Sequence, residues 1–180
     1  MKNIVYFDLE TQKSADEVGG WNHADQMGMS IGVTFSTAAN AYHIYDEAHV
    51  HDLISELRRA DLVVGYNHHG FDYVVLRKYD PMSLPGSVAS LDIMLEIGKF
   101  LTHRLRMDSL AQATLGVGKT SEGLQALEWY KQGKLLEIAE YCCFDVKITK
   151  MLHEYGAKYG RLYFQNRDGK CMAVPATWKI

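Results

Sequence analysis

Ile4-Val5-Tyr6-Phe7-Asp8-Leu9-Glu10-Thr11 is an apolar run that ends in two carboxylates two positions apart. Side chains alternate across a strand, so Asp8 and Glu10 project from one face and Leu9 from the other. Upstream both faces are apolar, Ile4 and Tyr6 on one, Val5 and Phe7 on the other, which is the pattern of a central strand covered on both sides. Two unpaired acids there would repel each other and lose solvation. A positive partner is therefore expected between them, and hard oxygen ligands side by side suit Mg²⁺ or Mn²⁺. The alternative is a solvated Asp-x-Glu at a strand end, since so short a motif has many chance matches.

Outward from this strand, Gly19-Gly20-Trp21 to Gln26 reads as a polar loop beside the two acids. Trp21 is expected to cover the edge of the core, with base stacking as the alternative, and His23 is an ordinary loop residue. Met29 to Phe35 and Asn40 to Tyr45 read as two strands joined at Ser36 to Ala39, an antiparallel meander with the first. Between Glu47 and Ala60, Val50, Leu53, Ile54 and Leu57 form one stripe of an amphipathic helix, and Leu62 to Tyr66 is a short apolar strand. Asn67 to Leu76 follows a strand end and opens a second helix. Such a junction aims backbone amides and side chains into a cleft at the sheet edge, placing Asn67 and Asp72 to act together. Asp72 is alternatively a first-turn acid that favours the helix dipole. His68 and His69 read as loop residues, because neighbours diverge and no third ligand is spaced to help.

Pro81, Pro85 and Gly86 mark a loop, and Val88 to Asp92 reads as a fifth strand, its Asp92 structural. Lys99, Arg104, Arg106 and Lys119 are candidates for phosphate contacts or a solvated basic face. Gly118-Lys119-Thr120 has the end of a phosphate-binding loop, but Ala113 stands where the first glycine belongs and the preceding segment looks helical, so we read a loop between helices. In the last main helix, Leu135 to about Tyr155, residues Ile138, Tyr141, Cys142, Asp145, Ile148, Thr149 and Leu152 share one face. Asp145 thus lies in the stripe that should meet the core, where a carboxylate is costly unless paired or bound to metal; a hydrogen bond to Tyr141, one turn earlier, is one way to satisfy it. Arg161 to Gln165 and Lys170 to Val174 flank a turn at Asn166 to Gly169, a closing hairpin.

The 180 residues, 47% hydrophobic, are most simply one domain, 1–180, with a core to about residue 155 and the hairpin over about 156–180. A formal net charge of -3 carries no global basic signature, so a nucleic-acid partner would be held by local charge or bound metal. Cys142, Cys143 and Cys171 lack metal-ligand spacing and leave one thiol over in any disulfide scheme, which fits a reducing compartment. With no signal-peptide pattern and no membrane-spanning run, the cytoplasm is the expected location and a membrane is not an expected partner.

In order, Asp8-x-Glu10, Asn67-x-x-x-Phe71-Asp72 and Tyr141-x-x-x-Asp145 resemble the three motifs of the DEDD superfamily of 3′-to-5′ exonucleases. The histidine-bearing branch would place His where Glu140 stands, five residues before the last Asp; the tyrosine-bearing DEDDy branch requires Tyr at position 141, as found. The resemblance implies an α/β, ribonuclease H-like fold: a mixed five-stranded sheet, three antiparallel strands then parallel ones, flanked by helices. It also implies two divalent cations, Mg²⁺ or Mn²⁺, with Asp8 touching both, Glu10 and Asp145 completing the site that activates water, and Asp72 supporting the second ion. Tyr141 would orient the attacking water, and an unperturbed phenol stays protonated near neutral pH. Thr11 and Asn67 would position the terminal nucleotide, with Phe71 packing beneath the site or touching the nucleotide. The implied activity is release of nucleoside 5′-monophosphates from the 3′ end of DNA or RNA, single-stranded ends fitting a narrow acidic cleft. A non-catalytic nucleic-acid-binding or partner-binding module that retains the fold is the competing class.

Overall fold

The computed structural model describes residues 2–82, 84–118 and 123–180. Lys119 and Thr120, one a candidate phosphate contact and both part of the rejected phosphate-loop motif, lie outside the described residues. The strands are β1 (Ile4–Thr11), β2 (Met29–Ser36), β3 (Ala41–Asp46), β4 (Leu62–Gly65), β5 (Ser90–Asp92), β6 (Arg161–Gln165) and β7 (Cys171–Pro175). The helices are α1 (Val50–Arg59), α2 (Asp72–Leu76), α3 (Leu84–Ser87), α4 (Ile93–Gly98), α5 (Met107–Leu115), α6 (Gly123–Lys131) and α7 (Leu135–Tyr159).

Five strands form one sheet in the order β3-β2-β1-β4-β5. β1 pairs antiparallel with β2, and β2 with β3; β1–β4 and β4–β5 are parallel. This is the mixed sheet the sequence implies, and the hairpin β6–β7 forms as a separate antiparallel pair. β1 is central, so its alternation sorts the core into two halves. Ile4 and Tyr6 pack with Ile138, Cys142, Ile148 and Leu152 of α7. Val5, Phe7 and Leu9 pack on the other side with Val50, Leu53, Ile54 and Leu57 of α1 and with α2. Because Asp8 and Glu10 continue the Ile4–Tyr6 face, they point to the side that α7 covers.

α7 runs to Tyr159, a turn beyond the sequence estimate, and ends where Gly160 takes a left-handed conformation, φ 68°. The tail then turns back along it. Trp178 Nε1 donates to the His153 carbonyl at 2.9 Å, and the two rings stack with centroids 6.1 Å apart. His153 Nδ1 in turn shares a hydrogen bond with the Tyr6 hydroxyl at 3.0 Å, linking tail, α7 and β1. All three cysteines are free thiols. Among the described residues no helix is long and apolar enough to cross a membrane.

Candidate metal centre

The site sits where the face of β1 that meets α7 turns from apolar to acidic. Carboxylate oxygens of Asp8, Glu10 and Asp145 all lie within 4.8 Å of one another. Two come from β1 by period-two spacing; the third comes from α7, in the same stripe as its buried Cys142, Ile148 and Leu152. Asp145 is half-buried rather than enclosed. Asp8 is held with its carboxyl well above the usual range, by burial first, then by the charges of Asp72, Asp145 and Glu10. Glu10 is raised likewise by burial and by Asp145 and Asp72. Acids that cannot all ionise together, presenting hard oxygen donors to one small volume, match what a divalent cation of the Mg²⁺ or Mn²⁺ kind requires. The donor chemistry fits such an ion.

Cys142, which the sequence places on this face without a role, lies under the acids. Its Sγ is 3.4 Å from both the backbone oxygen and Oδ2 of Asp8. Burial and the neighbouring carboxylates push its thiol up, so it remains protonated and donates to Asp8. Tyr141 shares a hydrogen bond with Asp145, and burial together with the charges of Asp145, Glu10 and Asp8 raises its hydroxyl above the usual phenol range. Trp129 of α6 packs edge-on against it, with ring centroids 6.4 Å apart.

Asp72 stands apart from the triplet. It is 3% exposed, and its Oδ1 accepts from the Leu9 amide at 3.0 Å. Parallel pairing of β1 with β4 ends at Tyr6 and Val64, and the Asp72 carboxylate takes up a strand amide beyond that point. Burial raises Asp72 to about 7, against the opposing effect of the Leu9 amide. It approaches Asp8 and Glu10 closely enough to raise both.

The other expected residues fall around this centre in distinct ways. Thr11 is buried, and its hydroxyl donates to the Lys13 carbonyl at 3.0 Å. Asn67 takes φ 61°, and its carbonyl accepts from the amides of Gly70 and Phe71. What holds this turn is Asp92, buried at the start of α4. Its carboxylate accepts from the amides of Asn67 (2.9 Å), His69 (3.1 Å), Met94 (3.0 Å) and Leu95 (3.3 Å). The structural role expected of Asp92 is thereby specified.

One expectation, for Trp21, needs correction, and two others gain detail. His68 lies in the turn after β4, as a loop residue, and is 0% exposed, packed against Gly65, where an added Cβ would meet its ring at 2.7 Å. Trp21 does not cover the core, being 72% exposed, because the stretch after β1 folds into two short 3-10 helices, Asp16–Val18 and Trp21–Gln26, of which Ala24 is the buried member. Of the basic cluster, Lys99 pairs with Glu96 and Arg106 with Asp108 at the exposed surface, the form a solvated basic face takes. No local pattern announces the exposure of Trp21, which depends on how its segment is anchored to the core; the ion pairs are visible as close Glu-Lys and Arg-Asp spacing.

A mixed sheet with the acidic end of its central strand facing the last long helix defines a ribonuclease H-like α/β fold. The RNase_H_2 family model, of the RNase_H superfamily, matches residues 5–157, and the chain belongs to that superfamily. Among solved structures, the family B DNA polymerase from the hyperthermophilic archaeon Pyrobaculum calidifontis is similar, with a TM-score of 0.65 and 16% identity over 87% of this chain. The match takes in 24% of that polymerase, so the likeness is one of fold with a part of a larger protein. No curated protein matches the chain.

Proposed function

We propose that this chain is a metal-dependent 3′-to-5′ exonuclease of the tyrosine-bearing DEDD branch, which releases nucleoside 5′-monophosphates from DNA or RNA ends. The observation that carries the reading is the convergence of Asp8, Glu10 and Asp145 within 4.8 Å, with the Tyr141 hydroxyl on Asp145. Membership of the RNase_H superfamily and a fold shared with part of a DNA polymerase support a nucleic-acid substrate. In this reading Asp8, Glu10 and Asp145 would hold divalent cations, Mg²⁺ or Mn²⁺, and Asp72 would support a second ion. Two such ions supply charge neutralisation at the phosphoryl oxygens, a lowered pKa for the attacking water and help for the departing 3′-oxygen. Tyr141, kept protonated, orients the water through its hydroxyl rather than removing its proton. Cys142 donates its S–H to Asp8 and steadies that carboxylate. Thr11, Asn67 and Phe71 line the approach of the terminal nucleotide. Three free thiols fit a reducing cytoplasm.

The test is a time course with 5′-labelled single-stranded DNA and RNA of one sequence, in Mg²⁺, Mn²⁺ or chelator, with Asp8→Ala alongside. The expected result is a ladder shortening from the 3′ end, with metal and the unmutated protein only. Intact strands beside folded, metal-binding protein would overturn the reading in favour of a binding module, and internal fragments would replace it with endonuclease action.

A further inference from the structure

Trp21 is a large aromatic ring that the fold holds out in water. It opens the 3-10 helix Trp21–Gln26, whose Ala24 is buried, and Met27 immediately after is buried as well. The segment is therefore anchored, and the ring's exposure is not that of a loose chain. Gly19 (φ +86°) and Gly20 (φ +120°) precede it in conformations that L side chains rarely adopt, and the Gly20 amide is tied to the Ala15 carbonyl at 2.7 Å. Among the described residues the ring partner of Trp21 is Phe71, met edge-on at a centroid distance of 5.9 Å. Phe71 is half-buried against the α1 side of the core and directly precedes Asp72. An edge-on prop supports the indole and leaves ring face open, and the prop is the immediate neighbour of Asp72, whose charge reaches Asp8 and Glu10.

The surroundings narrow what that face can take. Asp16, Glu17 and Asp25 lie on the same two short helices, and the nearby Lys131 is paired with Glu17 at 3.6 Å. Such an edge repels phosphate but is indifferent to an uncharged base. A base offers its π-face to a side chain when it is unpaired, and a Trp takes any of the four bases. Resting on the nuclease reading above, we propose that Trp21, propped by Phe71, is a stacking platform for an unpaired base of the strand whose 3′ end lies at the acids. The substrate class is thereby single-stranded nucleic acid, read without sequence preference.

Steady-state cleavage in Mn²⁺ of labelled single strands by wild type, Trp21→Ala and Trp21→Phe separates this platform from the reaction centre. Stacking on one aromatic is worth about 5- to 150-fold in affinity. Trp21→Ala is expected to raise KM by a factor in that range with kcat changed less than about twofold, and Trp21→Phe to restore most of it, because stacking needs a ring rather than an indole. Strands carrying one abasic nucleotide at successive positions from the 3′ end then locate the base. At one position the abasic strand should cost wild type the same factor and cost Trp21→Ala nothing further. Circular dichroism and the thermal midpoint check that each variant is folded. An unchanged KM for Trp21→Ala, or abasic effects of equal size in both proteins, overturns the platform and leaves the exonuclease standing. Absence of cleavage and binding by the wild type overturns both.

Discussion

Replacing Glu10 by Gln should stabilise the metal-free protein and weaken it relative to wild type once metal is present. The carboxylates of Asp8, Glu10 and Asp145 lie within 4.8 Å, so at an effective dielectric constant of about 20 each fully ionised pair repels by roughly 3.5 kcal/mol. The raised carboxyls of Asp8 and Glu10 exchange part of that repulsion for a bound proton, which leaves about 1–3 kcal/mol to be relieved by a neutral isostere. The sign with pH follows from linkage. Folded acids raised above their unfolded values hold protons that the unfolded chain has released, so their destabilisation is absent below about pH 4 and grows as pH rises through the raised values. Asp72, raised to about 7, extends that window to neutrality. Measurements belong at pH 8, where the effect is largest. Thermal unfolding in chelator should show Glu10→Gln melting higher by about 2–10 °C for a chain of this size. In Mn²⁺ at about a hundred times its Kd, wild type should gain roughly 2.7 kcal/mol and the variant much less, so that the order reverses. A lower midpoint for Glu10→Gln in chelator, or an equal gain from metal, would refute the picture of mutually repelling ligands.

Two further predictions concern the back of α7. Gly156→Ala should cost about 1–3 kcal/mol in urea unfolding, since its Cβ would run into the Trp178 ring and meet Ala176 Cβ at 3.0 Å, neither able to swing aside; unchanged stability would show that the tail does not pack there. Burial of His153 holds its ring neutral and lowers its pKa to about 4. Its contribution should be complete above about pH 6.5 and lost as pH falls towards 4. Between pH 7.5 and 5, wild type should therefore lose about 2 kcal/mol more than His153→Leu, and parallel losses would exclude His153 as the cause.

Much of this arrangement is legible in the chain before any coordinates. The alternation of Ile4-Val5-Tyr6-Phe7 marks a central strand, and the spacing of Ile138, Cys142, Asp145, Ile148 and Leu152 puts an acid on the core face of α7, because period two and period 3.6 are local properties. What stays hidden depends on where one element stops against another. The sequence names Asp72 as an acid near a strand end, but its bond to the Leu9 amide depends on where parallel pairing with β4 ends. His68 reads as a loop residue and is in a turn, but its full burial is not announced, because room for its ring depends on the missing Cβ of Gly65. Trp21 looks like a cover for the core, since burial is the usual fate of its residue type; its exposure depends on Ala24 and Met27 being the residues that anchor the segment.

The contact of Tyr6, His153 and Trp178 bears on the acids although it lies well away from them. From His153 back to Asp145 is eight helical residues, about 12 Å of rise. From Tyr6 on to Glu10 is four strand residues, about 13 Å. Two rulers laid in opposite directions thus start from one shared mark and agree at the far end. Slipping the helix by a single residue would turn Asp145 through about 100° and carry it off its neighbours. The closing segment around Trp178, beyond the residues matched by the family model, packs on His153 at that shared mark, so a change there should reach the acids through the helix as well as loosen the tail.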